Sequence, residues 1–186
     1  AVLNYPELIF ASIVAAFGQY TTFATHFGFV PTYAVTIGAT KTELGILTMA
    51  GTLAGALAVI VSGYYIAPRL GPRYTVCAGY VAGTAGVLVI PYIESVGILY
   101  VSQILAGFGR GAAYPILMGL AIARLPEREK ATAMGFFQAV YAVGMFAGPI
   151  TAGAIGGRWG YTTLFLTTGL VSAVTAIVAL RLPRKA

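Results

Sequence analysis

An arginine inside an otherwise apolar run is the residue best placed to do chemistry in this chain. Arg110 stands in QILAGFGRGAAYPILMG, with small and apolar residues on both sides. A guanidinium offers five N–H donors in a planar fork that fits a carboxylate, a phosphate or another anionic group. At the centre of a bilayer it costs about 2.5 to 3.5 kcal/mol even on the lenient insertion scale, so an intramembrane charge of this kind defaults to a functional role in a wet cavity. The competing role is structural, with the guanidinium bonded to helix-end carbonyls or a partner helix. At helical spacing Gln103, Gly107, Arg110 and Tyr114 fall on one face.

A second polar belt, GQYTTFATH, interrupts the first apolar run. Gln19, Thr22 and His26 share a face, with Tyr20 adjacent. If this helix runs outward and that of Arg110 inward, Gln19 lies at the depth of Arg110 and His26 at the depth of Gln103. His26 is the only side chain whose ordinary pKa lies near neutrality, which makes it the candidate for a proton-coupled switch; its alternative is a neutral imidazole bonded at a helix interface. Further on, Gln138 and Tyr141 share a face with Met145 above them. They either line the inner part of the same cavity or hold helices together.

Other chemistry is excluded by what is missing. The five acidic residues are all Glu, and His26 and Cys77 are alone. No Asp dyad, no paired carboxylates within the apolar runs, no metal-ligand cluster, no intrachain disulfide and no GxxxxGK[ST] motif can be assembled, so neither an enzyme nor a metal or cofactor is expected. The net charge of +6 comes from basic residues scattered singly or in pairs, which does not make a nucleic-acid patch.

The elements that must position these residues are membrane helices. Of 186 residues, 59% are apolar and only 9% charged, against about 25% charged in soluble domains. With about 20 apolar residues needed per crossing, the chain divides into six spans: Leu8–Val35, Leu44–Ile66, Tyr74–Ile93, Val96–Ala123, Ala131–Gly156 and Thr162–Leu182. Between them lie IGATKTE, APRLGPR, the Pro91/Glu94 region, RLPEREK and GGRWGY, which carry helix-ending residues. The runs are too long and too continuous for a β-barrel, and the first lacks the basic flank and cleavage site of a signal peptide. Arg69, Arg73, Arg124, Arg128, Lys130, Arg181, Arg184 and Lys185 collect on one side, against Lys41 and Arg158 on the other. The positive-inside rule makes the first side cytoplasmic, with both termini there, and a prokaryotic inner membrane is the expected location. Trp159 and Tyr161 suit an aromatic belt at the outer face.

The chain also matches itself. FVPT around Pro31 pairs with AYPI around Pro115, Gly45 with Gly135, Gly63 with Gly153, and RLG ending at Gly71 with RWG ending at Gly160, at offsets of 84 to 90 residues. Two three-helix units, roughly residues 1–93 and 94–186, follow. Because each has an odd number of spans, the second is inserted upside down relative to the first, as in many transporters.

These residues resemble a known family. GMFAGPITAG, Gly144 to Gly153, resembles the GxxxGPxxGG motif found in the fifth or eleventh helix of the major facilitator superfamily, with Ala152 replacing one closing glycine. SGYYIAPRLGPRYT resembles that family's signature loop GxxxDRxGRR, with Ala67 at the Asp position, one extra residue between Gly63 and Gly71, and Pro72 before Arg73. PEREKATAMG and GGRWGYTTLF also fit, so the likeness covers nearly the whole chain. It implies an all-α integral membrane fold of six transmembrane helices, half of the family's twelve, and the altered signature loop resembles that of the second half.

The resemblance implies a secondary transporter that moves a small, anionic or amphipathic solute by alternating access, with no covalent step and with a second six-helix bundle as partner. The solute site near mid-depth would draw on Gln19, Tyr20, His26, Gln103, Arg110, Tyr114, Gln138 and Tyr141. Gly144, Gly148, Pro149 and Gly153 would provide close packing or a hinge, and Arg69, Gly71 and Arg73 charge contacts between helix ends. The alternative is a free-standing six-helix protein, acting as a homodimeric transporter or as a non-transporting scaffold subunit.

Overall fold

The computed structural model describes residues 5–183, so Arg184 and Lys185 lie outside the described residues. Helices account for nearly all of it. The first apolar run forms α1 (Pro6–Ala24), a wide π turn (Thr25–Phe29) and α2 (Val30–Thr36). The second forms α3 (Lys41–Val61), a π turn (Ser62–Ile66) and α4 (Ala67–Leu70). Then come α5 (Pro72–Leu88), a 3-10 turn (Ile90–Tyr92), α6 (Val96–Ile122) and α7 (Glu127–Ala179).

Local chemistry explains the boundaries. Thr40 and Glu43 form a reciprocal capping box, which starts α3 at Lys41, three residues before the expected Leu44. Both π turns end one residue short of an X–Pro step, at Phe29 before Val30–Pro31 and at Ile66 before Ala67–Pro68. Pro31 and Pro68 have no N–H for the carbonyl four residues back, and the preceding residue donates to the carbonyl five back instead: Val30 to Thr25 and Ala67 to Ser62. The third run ends earlier than expected, with α5 closing at Leu88 before the turn at Pro91.

Five helical runs among the described residues are long and apolar enough to cross a membrane. The fifth and sixth expected spans are joined in α7, whose 53 residues would reach about 80 Å if straight, far beyond a hydrocarbon core of about 30 Å. One residue breaks it. Gly160 has φ 81° and ψ 172°, a backbone state essentially reserved for glycine, and the run folds into arms 127–159 and 161–179. The fold-back is tight enough that a methyl group on Gly156 would meet the Leu164 side chain. The expected GGRWGY loop is therefore a single-residue corner.

Gly71, which the sequence offsets pair with Gly160, has φ 82° and ψ 159°. The two glycines share their backbone conformation. In the middle of the bundle, Thr84 on α5 donates to Ser172 on α7 at 2.9 Å, a pair 88 residues apart and so close to the repeat offset.

Two apolar clusters fill the bundle's ends. One joins Leu8 and Val14 of α1, Val76 of α5, Leu117 of α6, and Phe137 and Ala179 of α7. The other joins Val30 of α2, Leu47 of α3, Val87 of α5, Leu99 of α6, and Leu164 and Phe165 of α7. Between them runs a buried polar layer that includes Thr21, Thr22, Thr25, His26, Ser102, Gln103 and Ser172. Its threonine hydroxyls are satisfied by their own helices, as in Thr22 to Gly18 and Thr25 to Thr21, whereas Ser172 donates across to the Tyr80 carbonyl of α5.

Candidate functional site

α6 is the element around which the site is built, because its small residues let α3 come very close. A methyl group on Gly107 or Gly111 would collide with the carbonyls of Gly51 or Gly55, so this crossing admits no side chain at either position. The same closeness brings the Gly51 carbonyl, in mid-helix, within reach of Arg110, whose Nη2 donates to it at 3.3 Å.

On one side of this contact lies a cavity of about 460 Å3 formed by α1, α3, α6 and the first arm of α7, with the π turn contributing Phe27. Gln19, Arg110, Tyr114 and Tyr141 line it, together with Thr22, Phe23, Phe27, Thr52, Val59 and Met145. Four of the eight expected site residues thus meet around one opening, and Arg110 faces it while holding Gly51. Phe23 and Phe27 pack with ring centroids 5.2 Å apart, and Tyr114 meets Tyr141 edge to face at 5.7 Å.

The other four expected residues stand elsewhere. His26 and Gln103 form a buried pair behind the cavity wall, 3% and 1% exposed. His26 Nδ1 lies 3.1 Å from Gln103 Oε1, and the Gln103 amide nitrogen donates to Ser102 Oγ at 3.2 Å. With oxygen as the facing atom, Nδ1 carries the proton; Nε2 is buried with no partner among the described residues. Tyr20 points toward α7, its hydroxyl accepting from Thr151 at 2.8 Å. Gln138 is exposed and outside the cavity lining.

The expected packing residues behave unequally. Gly144 and Gly148 touch the α1 backbone at Ala16 and Tyr20 so closely that an added methyl group would clash there. Gly153 sits beside the Phe29 ring, and Pro149 lies inside α7 without ending it. Arg69 stacks over Tyr65 at 6.0 Å and Arg73 over Tyr74 at 5.0 Å, and neither forms an ion pair among the described residues.

The α3 wall and the aromatic pair were missed by the sequence reading. Their signal was present: Gln19, Phe23 and Phe27 repeat every fourth residue, and Thr52, Ala56 and Val59 stand at helical spacing in a run that otherwise reads as uniformly apolar. Among the described residues no group of His, Cys, Asp or Glu is placed to hold a metal ion. What the arrangement can do is bind: a half-open, largely apolar wall with one cation and a few polar groups matches the usual build of a small-molecule site.

A family model described as Major Facilitator Superfamily matches residues 9–186. Among curated proteins, the quinolone resistance protein NorA of Staphylococcus aureus is 25% identical over 120 residues, covering 64% of this chain and 31% of that protein. An uncharacterized MFS-type transporter, MT1926 of Mycobacterium tuberculosis, is 26% identical over 187 residues, covering 97% of this chain and 26% of that protein. The matched stretch therefore covers less than a third of the length of either relative.

Proposed function

The chain belongs to the major facilitator superfamily, and on that premise we propose that it is one six-helix half of a secondary active transporter. As a family member it is a multi-pass integral membrane protein of the solute-transporting class, not an enzyme. The finer reading is ours. Six crossings result from counting the two arms of α7 separately at Gly160. Two inverted three-helix repeats are supported by the shared torsions of Gly71 and Gly160 and by the Thr84–Ser172 pair. The solute would bind near mid-depth in the cavity bounded by Gln19, Arg110, Tyr114 and Tyr141, closed on its far side by a second bundle, and would cross as the two bundles rock. The membrane is a prokaryotic inner membrane, with both termini cytoplasmic by the distribution of Lys and Arg.

The single observation that carries this reading is Arg110: a cation within the apolar layer, anchored on Gly51 and facing an opening large enough for a solute. A group used only to tie α3 to α6 needs no cavity beside it. His26, sealed behind the wall with a free ring nitrogen, is suited to sense the state of the α1–α6 contact and not to touch solute.

The test is solute flux in proteoliposomes, comparing this chain alone with the chain joined to a second six-helix bundle. Flux that needs the second bundle and is lost in Arg110→Ala, with the protein still folded, supports the proposal. Flux by the chain alone favours the homodimeric form, and no flux in either preparation favours a scaffold subunit.

A further inference from the structure

Resting on the transport reading above, we infer that the solute is an aromatic monoanion, a flat ring system bearing one carboxylate or sulfonate. Its charge sits on Arg110 and its ring lies against the aromatic wall of Phe23, Phe27, Tyr114 and Tyr141.

Charge comes first. Each acidic residue lies at a helix end or in a turn: Glu7 pairs with Arg124, Glu127 with Lys130 and Glu129 with Arg128, Glu43 caps α3 at Thr40, and Glu94 stands in the turn before α6. None lines the cavity, so this bundle offers Arg110 no counter-ion. An anion arriving in the cavity supplies one, and desolvated surroundings strengthen the contact.

The guanidinium is also held in position for it. One Nη2 hydrogen is committed to the Gly51 carbonyl, which fixes the plane and leaves donors for a two-oxygen acceptor. The remaining donors are few. Thr22 is committed to the Gly18 carbonyl and Thr52 to that of Thr48, so beside Arg110 only the Gln19 amide and two tyrosine hydroxyls are left. One fork and few other donors match a single charge; a phosphate dianion would bring more acceptor oxygens than this wall satisfies.

The rest of the wall asks for a ring. Phe23 and Phe27 pack with their rings tilted at 45° on the α1 side, Tyr114 and Tyr141 meet edge to face on the other, and Met145 adds a polarizable surface. Aromatic faces favour offset or edge contacts with another ring, and a cavity of about 460 Å3 has room for a bicyclic one.

The experiment uses the natural full-length protein, with 2-naphthoate, 2-naphthamide and tetraphenylphosphonium as probes in equilibrium dialysis and in counterflow uptake by proteoliposomes. Naphthoate is expected to bind at least about tenfold more tightly than the neutral amide, as a hydrogen bond to a charged group predicts. Arg110→Gln should abolish that ratio, while Phe27→Ala should weaken both naphthyl probes several-fold and leave the ratio intact. Equal binding of acid and amide, a preference for the phosphonium cation, or a ratio that persists in Arg110→Gln would each overturn the inference. If Arg110→Gln fails gel filtration, the wild-type ratio and Phe27→Ala decide. Phosphonium moved while naphthoate is ignored sinks this inference and leaves the transport reading; naphthoate bound with no probe moved does the reverse, and neither bound nor moved ends both.

Discussion

Arg110 and Gly51 are joined by a hydrogen bond from a guanidinium on α6 to a main-chain carbonyl in the middle of α3, 3.3 Å long and beside an open cavity. A mid-helix carbonyl is already committed to its own helix, so this second bond uses the oxygen's spare lone pair. It is possible only because neither Gly51 nor Gly107 has a side chain to hold the helices apart. The cation is thereby tied to the packing of the two helices that flank the site.

Gly107→Ala should consequently damage both stability and binding. Its methyl group would run into the Gly51 carbonyl, and overpacking of this kind costs about 1–3 kcal/mol. Thermal unfolding in detergent reads the first effect and solute affinity the second. An alanine protein of unchanged midpoint and affinity would contradict the close crossing.

Arg110→Lys should be far from conservative. A lysine keeps the charge but loses the fork that serves Gly51 and solute together. Flux should fall by about one to two orders of magnitude, the range of a lost charge-assisted bond, in initial-rate uptake by proteoliposomes. Lysine supporting wild-type flux would reduce the role of Arg110 to charge alone.

His26→Leu and Gln19→Ala should separate. His26 is sealed behind the wall and bonded to Gln103, so removing it strands a buried amide at a cost of about 1–3 kcal/mol in stability, with little change in solute affinity. Gln19 lines the cavity, and its loss should lower affinity while leaving the unfolding midpoint within about a degree or two of wild type, as for most changes away from buried networks. Reversed effects would exchange their roles.

Gly71→Ala and Gly160→Ala should destabilise alike. Both glycines occupy a region of backbone space that other residues avoid, at a cost of about 1–3 kcal/mol each. Matched drops in thermal midpoint fit two copies of one corner; a large drop at one and none at the other would speak against the repeat.

Orientation can be read with thiol reagents. In a Cys77→Ser background, a cysteine at Arg69 should react with a membrane-impermeant maleimide only from the cytoplasmic side, and one at Arg158 only from outside. Labelling of both from one side would refute the proposed topology.

Much of this was legible because it rests on local or one-dimensional rules. The apolar runs, the position of Arg110 among small residues, and the pairing of Gly71 with Gly160 all appear along the string. So does the polar layer, since Gln19, Thr22, His26 and Gln103 interrupt runs that lipid would otherwise keep apolar. What was not legible depends on which faces meet across the bundle. His26 and Gln103 were expected at the cavity; they meet each other at 3.1 Å, buried and outside the cavity lining. Tyr20 shares a stretch with Gln19, yet one residue of rotation turns it toward Thr151. The contribution of Thr52 and Val59 was hidden because α3 carries no charge to mark its inner face.

The wide turn ahead of Pro31 alters how α1 is to be read beyond it. One surplus residue advances the angular phase by about 100°, so the stripe marked by Gln19, Phe23 and Phe27 does not continue to Pro31, which lies outside the cavity lining. A helical wheel drawn straight through Thr25–Phe29 would assign Tyr33 and its neighbours to the wrong azimuth. In the fold Tyr33 is directed instead at the carbonyl of Ile93, 2.9 Å away. The mouth of this helix therefore has a separate clock from its middle, and scanning mutagenesis should treat the two as different faces.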